Sequence, residues 1–316
     1  MGGEFSEAPK VFDRAAVRAH RDRAARLPTE HDFLVREAAE RLLDRLDDVK
    51  RQFPIGLDLG CRTGFLADAL NGRGGVESIL HADISWEMVR TLSNSPRSPE
   101  TPPGTCVVAD EEFLPFAAAS FDVILSNLSL HWTNDLPGAL AQLNRALKPD
   151  GLFLATLFGG NTLWELRDSL LRAEAEVDGG ASPRVSPFAD VRDAGDLLNR
   201  ARFTLSVADI DSVTVNYPDI FRLMADLRGM GETNSTHARR RTITRREVLL
   251  RAGALYQELH GDQDGRLPAT FQFITLTGWA PHASQPKPMR PGSATTRLAD
   301  ALGTSEHSAG DKTKPN

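Results

Sequence analysis

The chain of 316 residues has only two cysteines, Cys61 and Cys106. They are too few and too far apart for a zinc cluster or a disulfide framework, so a reducing interior is the expected setting. Long hydrophobic runs are also missing. No apolar stretch approaches the roughly 18 residues needed to span a bilayer, and the first residues show no apolar signal core. A cytoplasmic location is therefore expected. Met1, Gly2 and Ser6 meet the loose myristoylation pattern, but that pattern matches too readily to outweigh an exposed, flexible start. Positive charge is not in excess: 37 Lys and Arg stand against 43 Asp and Glu, a net charge of −6, which excludes a general electrostatic grip on nucleic acid. With 41% hydrophobic residues the chain can still fill a large core.

Against this plain background, residues 55–64 (Ile-Gly-Leu-Asp-Leu-Gly-Cys-Arg-Thr-Gly) stand out. An apolar strand runs into a glycine turn, and an apolar helix begins at Phe65. Glycines let the backbone turn tightly and approach a ligand, while the free N–H groups at the helix start attract its negative groups. Asp83 lies 19 residues beyond Gly64, near the offset of about 20 at which such units place a ribose-binding carboxylate.

Residues 10–26 carry Arg14, Arg18, Arg21, Arg23 and Arg26 among small and apolar positions at helical spacing, which predicts a surface helix with a solvated arginine face. Thr29, with Asp32 three residues on, reads as the N-cap of a second amphipathic helix through Phe33, Leu34, Ala38, Leu42 and Leu46. Strand and helix signals then alternate: strands at 55–59, 78–83, 105–109, 121–127 and 151–158, with helices at 64–71, 85–94 and 135–147. Such alternation predicts a parallel sheet covered on both faces. Lys148-Pro149-Asp150-Gly151 reads as a turn into the last of these strands. Residues 175–199 read mostly as a loop or lid, with a short helix at 194–200. Further strands are expected at 213–217 and 270–279, with helices at 218–228 and 245–260 between them. The expected plan is an N-terminal helical segment (1–53), a cofactor core (54–160), a substrate-side cover with the C-terminal strands (161–281) and a disordered tail (282–316) with a helical patch at 296–302.

Asp58, Gly60 and Gly64 match the first motif of the class I S-adenosylmethionine-dependent methyltransferases, D-x-G-x-G-x-G, with Arg62 where the middle glycine is usual. The G-x-G-x-x-G of dinucleotide enzymes is lacking. The resemblance implies a Rossmann-like α/β fold with a seven-strand sheet and an inserted helical cover, and S-adenosylmethionine as cofactor. By the same resemblance Asp83 would hold the ribose, Asp110 would sit at the adenine edge and Asn127 and Leu128 would flank the methionine part, with Ile84 and Glu111 beside them as further cofactor-binding residues. A β-carbon at Arg62 resists the positive φ that glycine permits, so Arg62 either obstructs the cofactor or pairs with its carboxylate. His131 and Trp132 follow the fourth strand at the ligand-binding edge. His131 is a candidate base or a loop hydrogen-bonder, and Trp132 a cation–π partner for the sulfonium or a packing aromatic. His81-Ala-Asp83 spells half of an iron facial triad, but ribose explains Asp83 better and no metal is expected.

Longer stretches resemble one family within that fold. Val11-Phe-Asp-Arg, His20-Arg-Asp-Arg-Ala-Ala, residues 126–132, Gly179-Gly-Ala-Ser-Pro-Arg-Val-Ser-Pro-Phe, Asp226-Leu-Arg-Gly-Met-Gly-Glu-Thr-Asn, Arg266-Leu-Pro-Ala-Thr-Phe-Gln and Gly278-Trp279 are similar to the complex I assembly factors of methyltransferase fold. The likeness covers about residues 10–280 and implies a bacterial relative in an organism with a respiratory NADH:quinone oxidoreductase. It also implies the family's reaction, hydroxylation of an arginine in the iron–sulfur subunit of that enzyme, and peripheral association with the inner membrane through this partner. Hydroxylation enters by resemblance alone. An arginine-modifying enzyme needs a wide cleft, expected between residues 179–188 and 227–234, with Glu232 or Asp226 to pair a guanidinium. Two alternatives stand beside it. One is a carboxyl O-methyltransferase on an acyl-carrier-bound or small acid, with Arg184 or Arg228 as a cationic handle. The other is an assembly chaperone that binds the cofactor without turnover.

Overall fold

The computed structural model describes residues 10–286 and 297–305. The chain opens with helix α1 (Arg14–Ala24), capped by the Asp13 carboxylate, which accepts the Ala16 N–H at 3.2 Å. Helix α2 (Phe33–Asp47) buries Leu34, Ala38, Leu42 and Leu46, the four-residue stripe expected of it. The expected Thr29 cap does not form. Pro28 is extended and Thr29–Asp32 coil into a 3-10 turn, so Asp32 takes the cap position without a side-chain bond.

Strand β1 (Ile55–Leu59) leads through the glycine turn to α3 (Phe65–Leu70), and β2 (Ser78–Asp83) leads to α4 (Trp86–Asn94), capped by Ser85. After β3 (Gly104–Val108) and β4 (Phe121–Asn127) come α5 (Leu136–Ala146) and β5 (Leu147–Phe158). Strand β5 starts earlier than its apolar run suggests. Lys148-Pro149-Asp150-Gly151 lies inside it, where Asp150 takes φ +64° and the pairing with β4 shifts between Phe121 and Val123, as a bulge allows.

Beyond β5, α6 (Trp164–Asp178) takes in the first four residues of the expected loop, and α7 (Val191–Arg200) starts three residues before the expected short helix. Strand β6 (Thr204–Tyr217) is nine residues longer at its start than expected. Helices α8 (Ile220–Gly229) and α9 (Arg246–His260) separate it from β7 (Leu267–Trp279).

The seven strands lie in the order β3-β2-β1-β4-β5-β7-β6. The first five run parallel, and β7 runs antiparallel to both β5 and β6. Leu57, Leu125 and Leu154 at its centre are fully buried, because helices cover both faces. From β1 the chain winds outward through β2 and β3, then returns to lay β4 on the other side of β1. That reversal opens a crevice at the carboxyl ends of the strands, where ligands of doubly wound sheets sit. One compact unit ends at Pro281, and a second begins at His282. The second holds helix α10 (Leu298–Leu302) within the expected helical patch. Residues 1–9, with Met1, Gly2 and Ser6, and residues 287–296 and 306–316 of the expected tail lie outside the described residues.

Candidate functional site

The glycine turn between β1 and α3 depends on backbone that side chains resist. Gly60 takes φ +75° and Gly64 φ +95°. A Cβ on Gly60 would stand 2.2 Å from Ser129 Oγ, and one on Gly64 2.1 Å from Leu92 Cδ1, so both glycines are required by space as well as by φ. Arg62, where glycine was expected, is held in the left-handed region at φ +50°. Such a residue costs on the order of 1–3 kcal/mol and persists only where its surroundings over-determine it. Here they do. Its backbone N–H donates to Asp83 Oδ2 at 3.0 Å, and its guanidinium donates to Met230 O at 2.6 Å, Leu128 O at 3.1 Å and the Glu232 carboxylate. It therefore pairs with a protein acid, the partner sequence reasoning did not find.

At the carboxyl ends of β1, β2 and β3 the chain supplies Asp58, Asp83, Asp110 and Glu111. Asp58 bonds His81 Nδ1 at 3.2 Å. Asp83, fully buried, accepts the Ser85 N–H at 2.8 Å and Nη1 of Arg21 at 3.0 Å. The same Nη1 lies 3.3 Å from Glu111, and Nη2 donates to Ser129 Oγ at 2.8 Å. Ser129 and Arg14 also donate to Glu111, and Arg14 reaches Asp110 at 2.6 Å and Trp132 O at 3.1 Å. Burial disfavours the ionised Glu111, but Arg14 and Arg21 outweigh it and hold the carboxyl below its ordinary range. Burial likewise works against the charge on Arg21, and Asp83 and Glu111 overcome it. The expectation of a solvated arginine face on α1 is thus corrected. Arg18 and Arg26 are exposed, but Arg14 and Arg21, two helical turns apart, face inward with Val17.

These residues fit a nucleoside cofactor in kind. Carboxylates at the ends of β2 and β3, beside a glycine turn, are the acceptors that ribose hydroxyls and a purine amine require. A cavity of about 430 Å³ lies against the turn, lined by Asp58, Gly60, Cys61, Arg62, Met88 and Asn127 among others. In the conformation described, Asp83 and Glu111 hold Arg21. Ile84 packs with Phe12, Val17 and Trp132. Asn127 is engaged on both sides: its Nδ2 donates to Val35 O at 2.8 Å and its Oδ1 accepts from Thr156 at 2.6 Å. Leu128 is buried at φ +47° and offers its carbonyl to Arg62.

His131 and Trp132 converge on Glu232 rather than on these acids. Trp132 Nε1 donates to Glu232 Oε2 at 2.9 Å, and His131 Nε2 lies 3.0 Å from the same oxygen. Burial would raise the Glu232 pKa, but Arg62 and His131 draw it down to about 2. Burial lowers the His131 pKa and so favours a neutral imidazole. In the tautomer that donates Nε2–H to Glu232, Nδ1 is an acceptor, and it has no partner among the described residues. Trp132 meets Phe12 edge-on at 5.5 Å.

Among the described residues Glu232 is also the one acidic side chain lining a second cavity, of about 510 Å³. Residues 184–186 and 188 form one wall, and residues 227, 228 and 232–234 another, so the two segments singled out for a cleft do meet. Asp226, the other acid considered, is bound to His31 at 2.8 Å and Arg222 at 3.4 Å. Arg184 is paired with Glu174, while Arg228 is exposed at the cavity. His81 turns to Asp58 and Arg97 and does not converge with Asp83. Among the described residues no cluster of three His, Cys, Asp or Glu side chains is placed to hold a metal ion.

Residues 57–155 match a protein family described as "Methyltransferase domain". The chain is 46% identical over 292 residues to "Arginine-hydroxylase NDUFAF5, mitochondrial" of Danio rerio, covering 92% of this chain and 89% of that one. It is 36% identical over 277 residues to "Malonyl-[acyl-carrier protein] O-methyltransferase" of Methylovorus sp. (strain MP688), covering 86% and 91%. Among solved structures, the YcgJ protein of Bacillus subtilis superposes with a TM-score of 0.55 at 16% identity, covering 77% of this chain and all of that one. This last likeness speaks to the fold alone.

Proposed function

The chain belongs to the family of these arginine hydroxylases, and on that premise we propose that it is an S-adenosylmethionine-binding enzyme of the methyltransferase superfamily that modifies a protein arginine in a respiratory complex I subunit during assembly. The finer form of the reading is hydroxylation of an arginine in the iron–sulfur subunit, a C–H to C–OH oxidation whose oxygen atom comes from an external co-reactant, dioxygen with a two-electron reductant, and not from the sulfonium; contact with the membrane is made through that partner. No helix among the described residues is long and apolar enough to cross a membrane.

One observation carries the reading: Glu232, buried and ionised, lines the 510 Å³ cavity and already holds a guanidinium, that of Arg62. A carboxylate and a guanidinium match in shape and charge, so the chemistry that binds Arg62 suits an incoming arginine. Each site residue then has a task. Asp83 and Ile84 hold the ribose, Asp110 and Glu111 face the adenine edge, and Asp58, Gly60, Arg62, Gly64, Asn127 and Leu128 shape the methionine end. S-adenosylmethionine, when bound, supplies a sulfonium centre with an electrophilic methyl carbon. Glu232 and Trp132 orient the substrate, and neutral His131 presents Nδ1 as a proton acceptor.

Mass spectrometry of the oxidoreductase subunit from a deletion strain tests the reading. We expect the wild-type arginine to be heavier by one oxygen atom than the arginine of the deletion strain. Equal masses would sink it. The malonyl-carrier methyltransferase relatives favour a second reading, in which exposed Arg228 takes a substrate carboxylate. Methyl transfer to a malonyl thioester in vitro separates the two.

A further inference from the structure

We propose that helix α1 is a latch, in which Arg21 and the nucleoside cofactor compete for Asp83 and Glu111, so that loading the cofactor frees α1 and with it segment 233–237, whose Thr233 and Asn234 line the second cavity. This rests on reading the strand-end acids as the nucleoside site.

Three observations place Arg21 in competition rather than in a supporting role. Its Nη1 bridges Asp83 and Glu111, the carboxylates assigned to the ribose and to the adenine edge. The same atom stands 3.6 Å from the position a Cβ on Gly60 would take. Ser129 Oγ and Cβ occupy that position itself, at 2.2 and 2.3 Å, and the guanidinium packs in ordinary contact beside it. Asp83 is also heavily subscribed: Oδ2 accepts from Arg21 and from the Arg62 N–H, and Oδ1 from the Ser85 N–H. The nucleoside needs the acceptor positions that Arg21 holds. Arg21 itself is incompletely satisfied, since its buried Nε has no partner among the described residues. A buried donor left unpaired weakens a contact that would otherwise be permanent.

The latch is tied to the substrate side by hydrogen bonds. The Asp13 N–H donates to Ser235 O at 2.8 Å, the His237 N–H donates to Val11 O at 2.9 Å, and Phe12 bridges Thr236 in antiparallel fashion. His20 Nδ1 lies 2.9 Å from Ser235 Oγ and 3.2 Å from Thr233 O. Thr233 and Asn234 line the cavity beside Glu232. A helix that leaves Asp83 pulls on all of these at once. Two sites are then coupled through one element with two positions, which is the physical requirement for linkage between them.

Hydrogen exchange by mass spectrometry on the full chain, with and without S-adenosylhomocysteine, tests this alongside calorimetry on the wild type, Arg21→Met and Arg21→Lys. We expect ligand to speed exchange in residues 14–24 and 233–237 of the wild type. We expect Arg21→Met to bind about tenfold tighter, with Arg21→Lys between the two. If the methionine variant fails to fold, the wild-type exchange and the lysine variant decide. Ligand binding that leaves residues 14–24 equally or more protected overturns the latch and spares the cofactor reading, because α1 would then be part of the bound site. No heat from any of the three folded proteins overturns both.

Discussion

Arg62 carries two opposing energies. Its left-handed backbone costs on the order of 1–3 kcal/mol, while removing one partner of a buried ion pair costs about 3–5 kcal/mol because the other charge stays buried. The pair wins. Arg62→Gly, which relieves the backbone but strands Glu232, should therefore lower stability by about 2 kcal/mol in urea unfolding, and adding Glu232→Gln should recover most of that loss. Stability unchanged in Arg62→Gly would mean that the Arg62–Glu232 contact is worth no more than the strain. Acid reports on the same pair. With its pKa drawn from the ordinary 4.5 to about 2, Glu232 stabilises the fold fully above pH 4.5, and this contribution is lost as pH falls towards 2. Thermal melts across that window should show a shallower acid limb in Glu232→Gln. At this scale the sequence shows that Arg62 is out of place in its motif. It does not show the partner, which is 170 residues away in a segment that the sequence assigns to a substrate guanidinium rather than to Arg62. Local pattern carries no information about which distant charge a buried group meets.

At the scale of elements, strands β1, β2 and β4 fall at the residues where their apolar runs lie, since a short run between polar breaks has few other places to go. Strand β6 does not. Asp209 and Asp211 interrupt its apolar residues, and only at the edge of a sheet, with one side facing solvent, can a strand carry them. Helix α1 was legible as a helix, but its arginines read as a solvated face because charge on a helix usually is one. The missed signal was the spacing of Arg14 and Arg21, seven residues apart on the side that also carries Val17. His20 gives this helix a dependence on pH. Burial, with Arg23 and Arg239 nearby, lowers its pKa from 6.5 to about 4. A depressed histidine stabilises the fold when neutral, so its contribution is present above pH 6.5 and lost as pH falls towards 4. Exchange in residues 14–24, corrected for the intrinsic rate, should quicken between pH 6.5 and 4.5, and His20→Gln should flatten the change. An equal slope in both proteins would remove His20 as the cause.

Across the whole molecule, the reversal of strand order between β1 and β4 gathers four strand ends on one edge, and everything argued for the cofactor follows from that topology. Alternating strand and helix signals were enough to read this much, because each parallel crossover needs its helix. A ligand that binds only the folded chain stabilises it by mass action, about 2.7 kcal/mol at a hundredfold excess over Kd. For a chain of this size that is a rise in Tm of about 4 °C. S-adenosylhomocysteine should produce that rise in the wild type, and Asp83→Asn, which weakens the ribose acceptor, should abolish it. A full shift in Asp83→Asn would move the nucleoside away from β2. Coupling through α1 adds a reciprocal demand. If the cofactor raises the affinity for a substrate peptide by some factor, the peptide must raise the affinity for the cofactor by the same factor. Calorimetric titrations in both orders, with a peptide spanning the modified arginine, should return equal factors above one. A factor of one would mean that the two cavities are independent, and that the bonds from α1 to residues 233–237 hold the fold without linking its sites.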